Sequence, residues 1–224
     1  MIKLNFQNVT DKKVIATVIA EAIITQLEAG KKVLWLIPGG SSIAVAVEVA
    51  KILIGSPFGK LTVTLTDERY GEMNHQDSNW LQLQQAGFYL PEAHLIPVLS
   101  GKDKEATTED YAMCLKEELA NTDYSIGFFG IGDDGHTAGI LPGSPAVHSE
   151  HLTADYSGGN FERITITPKV IAQLDEAFVY AVGESKWAAL LKLESEVALN
   201  EEPAQILKQV PKLTIFTDYL ASQS

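Results

Sequence analysis

The chain has 224 residues, 46% of them hydrophobic and 21% charged, enough length and apolar content for one sizeable core in an ordinary soluble composition. Its formal net charge is -12, which argues against nucleic acid or an acidic membrane surface as a partner. An anionic small ligand would have to be met by a local cluster of cations or N–H groups. The single cysteine, Cys114, excludes an internal disulfide, and its helical setting in YAMCLKEEL predicts a buried, inert thiol. No apolar run approaches a membrane span and the N-terminus lacks a signal-peptide pattern, so the expected location is cytoplasmic.

Residues 12–29 place Ile15, Val18, Ile19, Ala22 and Ile23 at helical spacing, with Thr10 or Asp11 as cap and Gly30 as stop. KVLWLI (32–37) reads as a buried strand, followed by GGSS and a helix over IAVAVEVAKIL. KLTVTLTDERY predicts a second strand ending in charge. A helix at DSNWLQLQQAGF, a short strand at HLIPV and an amphipathic helix at KEATTEDYAMCLKEELAN follow. YSIGFFGIG is a third long strand, and LPGSPAVHSEHLTADYSGGN (141–160) is the longest irregular stretch. FERITITP and AFVYAVG predict strands, ESKWAALLKLE and PAQILKQV helices, and LTIFTD a closing strand. The alternation, with several strands apolar on both faces, predicts an α/β fold. One domain is expected, with a mainly parallel, Rossmann-like sheet and helices on both faces.

Ligands in such sheets bind beyond the carboxyl ends of the strands. Four of those ends carry unusual residues. Gly39, Gly40, Ser41 and Ser42 open a helix and could cradle an anion with free N–H groups, or could form a plain strand-to-helix turn. Asp67, Glu68 and Arg69 end the second strand; adjacent strand residues face opposite ways, so they cannot all serve one site. GIGDDGHTAG brings Asp134 within two positions of His136, where a carboxylate can orient an imidazole acting as general base. A metal set of Asp133, Asp134 and His136 matches no zinc spacing. Arg163 begins a strand and Lys186 a helix. A cation at a helix start opposes the dipole unless an anion sits there, though a lone lysine is by default solvated. His148 and His151 read as solvated.

These segments, in order (GGSS, TDER, DSN, GIGDDGHTAGILPGS, RIT, VGESKW), resemble the 6-phosphogluconolactonase family, grouped with glucosamine-6-phosphate deaminases and isomerases. The resemblance spans nearly the whole chain. It implies hydrolysis of a sugar-phosphate lactone, 6-phospho-D-glucono-1,5-lactone, to 6-phosphogluconate in the oxidative pentose phosphate pathway, with no metal or organic cofactor. It leaves monomer and small homo-oligomer open. By position it makes His136 the catalytic base with Asp134 beside it. Gly39, Gly40, Ser41 and Ser42 would line the sugar-phosphate site together with Asp67 and Arg69, and Arg163 and Lys186 would hold phosphate. The chain departs from the family pattern at Pro38, Ile43 and Gly139, and in YGEM after DER. The deaminase branch usually continues with IAFNEPG after its histidine, whereas TAGILPGS here carries no acid. A sugar-phosphate sensor would need a DNA-binding segment, and no basic helix-turn-helix is present.

Overall fold

A computed structural model describes residues 4–56 and 58–219. In chain order the strands are β1 (Asn5–Asn8), β2 (Val33–Ile37), β3 (Leu61–Leu65), β4 (Asp67–Arg69), β5 (His94–Ile96), β6 (Tyr124–Gly130), β7 (Thr153–Gly158), β8 (Phe161–Ile166), β9 (Glu176–Tyr180) and β10 (Lys212–Thr217). The helices are α1 (Lys12–Glu28), α2 (Ile43–Leu53), α3 (Asn79–Gln85), α4 (Lys104–Asn121), α5 (Pro168–Ile171) and α6 (Trp187–Leu193). Seven strands form one parallel sheet in the order β1-β10-β9-β6-β2-β3-β5. The other three, β4-β8-β7, form a separate antiparallel sheet.

Every residue of β2 is buried, and so are Tyr124–Phe129 of β6. Successive strand residues point to opposite faces, so both faces of the parallel sheet are covered. Trp35, Phe128, Phe129 and Ile15 anchor a continuous core. Each such side chain contributes about 1.5–3 kcal/mol on burial. α1 starts where the Asp11 carboxylate accepts the Lys13 N–H and ends in a glycine turn, with Gly30 N–H on Leu27 O and Lys31 N–H on Gln26 O.

From β2 the chain steps outward one way to β3 and β5, then returns to place β6 on the other side of β2. That reversal leaves a crevice between the β2 and β6 carboxyl ends. The antiparallel sheet is built at the same end. At Thr66 the chain leaves the parallel sheet: its N–H reaches Ile37 O, while its carbonyl accepts Ile166 N–H.

Several expectations need correction. TLTDERY is two strands in two sheets, because buried Thr66 switches partners between them. FERITITP pairs antiparallel with β4 and β7 and does not join the parallel sheet. Segment 141–160 is ordered into a 3-10 turn (Pro145–His148) and β7, whose polar TADYSG carries no apolar alternation to announce it. PAQILKQ forms a 3-10 helix. Val18 points outward on α1, where Ala16 and Ala20 share the buried face. Cys114 is exposed, because α4 buries Tyr111 and Leu115 on its inner side and turns the thiol away. The edge strand β1 carries no strand signal in the sequence, since NFQN is short and polar.

Candidate active site

The crevice at the strand reversal holds a cavity of about 270 Å³. Its walls come from the ends of β2, β4, β6, β8 and β9, so residues scattered along the chain converge there.

After β2, the Gly39–Ser42 segment turns directly into α2. Gly39 to Ser42 all line the cavity, and the first N–H groups of α2 have no partners within the helix. A Cβ at Gly39 would lie 2.1 Å from Asn79 Oδ1, so any side chain there would have to displace the Asn79 amide. Asn79 is buried, donates its amide to Asp67 O at 2.9 Å and lines the cavity. In the sequence it stands out only as part of the DSN motif, with nothing to assign it to the site.

After β6, the loop folds back tightly. Gly132 N–H donates to His136 O at 2.8 Å, and Thr137 Oγ1 donates to Gly130 O at 2.9 Å. The His136 ring lies against the Gly132 backbone; a Cβ there would sit 2.1 Å from Nδ1 and 2.6 Å from Asp134 Oδ1. Only glycine permits this approach. Asp134 Oδ1 receives both the His136 N–H (3.0 Å) and the ring Nδ1 (2.6 Å). Burial works against ionisation of Asp134, but these hydrogen bonds and the histidine charge outweigh it and hold its carboxyl below the usual aspartate range. With Nδ1–H donating to the carboxylate, the neutral ring carries its lone pair on Nε2. The His136 side chain is 36% exposed, so solvent reaches it. Ala138, also on the cavity wall, holds φ 50, a left-handed backbone that a non-glycine residue adopts at a cost.

The antiparallel sheet supplies cations. Arg69 on β4 and Arg163 on β8 are direct cross-strand partners. Like charges in such a pair destabilise a sheet unless something anionic lies between them. The guanidinium groups lie 4.8 and 5.6 Å from the Phe161 ring centre. One bond positions each: Arg69 Nη1 to Asp77 O at 3.1 Å, and Arg163 Nε to Gly158 O at 3.0 Å. Both line the cavity with Lys186 and Asp67. Glu68 points the other way and is buried. It accepts the backbone N–H groups of Arg69, Asn79 and Trp80 and the Ser78 hydroxyl, tying the DSN segment to β4.

Thus Gly39, Gly40, Ser41, Ser42, Asp67, Arg69, His136, Arg163 and Lys186 all line one cavity, with Asp134 just behind His136. Asn79 and Tyr180 join them; Tyr180 ends an apolar strand and carries no motif that would flag it. Pro38, one departure from the family pattern, is buried on the wall. Ile43 is the buried first residue of α2. Gly139 is buried against Thr165 and Tyr156, donating its N–H to Thr165 Oγ1 and accepting the Tyr156 hydroxyl. His148 and His151 are exposed and do not line the cavity. Among the described residues no cluster of three or more His, Cys, Asp or Glu side chains could hold a metal ion.

The sequence model for glucosamine-6-phosphate isomerases/6-phosphogluconolactonase matches residues 10–215. The chain belongs to that family. A 6-phosphogluconolactonase of Borreliella burgdorferi is 28% identical over 173 residues, covering 71% of this chain and 73% of the relative. A glucosamine-6-phosphate deaminase of Lactobacillus johnsonii is also 28% identical, over 90% of this chain and 89% of its own. The crystal structure of a 6-phosphogluconolactonase from Shewanella baltica superposes with a TM-score of 0.82 at 20% identity, covering 97% of this chain and 99% of that one. Both enzyme types of the family are therefore near relatives, and the choice between them falls to the residues of the cavity.

Proposed function

We propose that this family member hydrolyses 6-phospho-D-glucono-1,5-lactone to 6-phosphogluconate. The observation that carries the reading is the content of one cavity: an imidazole paired with a carboxylate, together with three cationic side chains. A lactone bearing a phosphate needs both.

In this reading Arg69 and Arg163 receive the phosphate, with Lys186 and the N–H groups at the start of α2. Paired guanidinium groups suit phosphate oxygens, and lysine adds a point charge. The cross-strand pairing of Arg69 with Arg163 supports its assignment to the phosphate. The lactone carbonyl then lies beside His136. Nε2 takes a proton from water as the water oxygen bonds to the carbonyl carbon. The carbonyl electron pair moves onto oxygen and is met by loop N–H groups. When the pair returns, the bond from carbon to ring oxygen breaks, and His136 delivers its proton to that oxygen. Asp134 stabilises the intervening imidazolium. General base catalysis supplies about 10²- to 10⁴-fold, and positioning supplies the rest.

Deamination of an amino-sugar phosphate is the second reading. It draws on Asp67, the one carboxylate among the described residues lining the cavity. Thr137, Ala138 and Gly139, which follow the histidine, offer no second acid for ring opening. The test is direct. Purified protein should hydrolyse the lactone well above its spontaneous rate and release no ammonia from glucosamine 6-phosphate. His136→Ala should lower kcat by at least about 10²-fold with unchanged thermal unfolding. Ammonia release, or near-normal hydrolysis by the variant, would overturn the reading.

A further inference from the structure

Lys186 reaches the cavity from a short 3-10 turn, Glu184–Lys186, that has no side-chain cap of its own. Its anchor comes from another strand. Asp218, just beyond β10, accepts the Gly183 N–H on both carboxylate oxygens, at 3.0 and 3.2 Å. The same carboxylate accepts the Trp187 indole N–H at 3.0 Å. Gly183 and Trp187 bracket the turn, and Lys186 N–H closes it on Gly183 O at 2.9 Å. β9 and β10 pair in parallel, and Ala181 N–H still bonds Phe216 O past the last paired strand residues, so the two exits lie side by side.

Asp218 is not among the residues lining the cavity. Burial disfavours its charged form, yet the bonds from Trp187 and Gly183 prevail and hold its carboxyl below the usual aspartate range. Its charge also raises the pKa of Tyr180, a cavity residue, after the larger effect of that tyrosine's burial.

We propose that Asp218 is a positioning residue for the phosphate end of the substrate, fixing both sides of the turn that presents Lys186 without touching the ligand. A lysine side chain has several free torsions, so its backbone must be held if its ammonium is to meet phosphate with little ordering cost. Charge-assisted bonds from Gly183 and Trp187, the two residues bracketing the turn, do this. The inference rests on Lys186 contacting phosphate, as proposed above.

Steady-state kinetics on 6-phosphogluconolactone with Lys186→Ala, Asp218→Ala and the double variant test it. Lys186→Ala should raise KM by about 10- to 100-fold. Asp218→Ala should raise KM by about fivefold or more while changing kcat much less. The double variant should be no worse than Lys186→Ala alone, because Asp218 acts through a side chain already removed. Trp187→Phe keeps an aromatic side chain but loses the indole N–H donor. It should raise KM in the same direction, and it serves if Asp218→Ala does not fold. Should Lys186→Ala raise KM while Asp218→Ala and Trp187→Phe leave it unchanged, the inference alone fails. Full additivity in the double variant overturns it too, since Asp218 would then act elsewhere. A Lys186→Ala variant with normal KM removes the phosphate contact and the inference with it.

Discussion

His136 and Asp134 are two residues apart, and that spacing was enough to expect contact, because a glycine-flanked loop has few ways to turn. The structure adds which atoms meet: one carboxylate oxygen takes both the backbone and the ring N–H of the histidine. The folded-state pKa of Asp134 is thereby depressed. The stabilisation it brings is complete above the carboxyl's unfolded pKa and is lost as pH falls through the folded value. Asp134→Asn removes that titration while keeping an acceptor in place. Thermal melts should therefore show a shallower acid-range decline in unfolding temperature than wild type, and kcat at neutral pH should fall by about 10²-fold or more. Parallel acid slopes would mean that the pair adds nothing to the fold. The Arg69–Arg163 pair was not legible in this way. Both residues could be picked out, but only a strand pairing between distant segments sets them face to face.

Among the elements, β4 does the most with the fewest residues. Asp67 and Arg69 face the cavity while Glu68 faces inward, as period-2 alternation demands. Burial pushes the Glu68 carboxyl up even though four donors surround it. Those donors include three backbone N–H groups that have left water. Glu68→Gln presents an NH₂ group where an acceptor is needed, and should cost about 2–4 kcal/mol in urea unfolding. It should also raise KM, because Arg69 and Asn79 flank the disturbed segment. Unchanged stability would show that a neutral amide satisfies these donors as well as the carboxylate does. The sequence exposed the charge of this strand but not its membership of a second sheet. An apolar run followed by TDER looks continuous; the break lies in which partner Thr66 chooses, and that depends on the fold.

At the scale of the whole molecule, a chain of net charge -12 gathers two arginines and a lysine around one cavity. Long-range repulsion of an anionic substrate and short-range attraction by these groups oppose each other. Repulsion fades beyond a Debye length of about 8–10 Å at physiological salt, while contact attraction persists. KM for the phosphorylated lactone should therefore change little up to about 0.15 M salt and rise severalfold towards about 1 M, where even close pairs are screened. Salt-independent KM over the upper range would count against an electrostatic phosphate contact.

What the sequence determined alone is local: β2, β6, α1, α2 and α4 from hydrophobic period, the glycine turns, and the histidine–aspartate pair. Each is set by side chains a few positions apart, so pattern suffices. What only the tertiary structure decided is long-range. The order of seven parallel strands, the antiparallel sheet with its unannounced β7, the recruitment of Asn79 and Tyr180, and the anchoring of Lys186 by Asp218 all depend on segments that meet only when the core closes. Burial of both faces of the parallel sheet drives that closure, and no short window of sequence contains it.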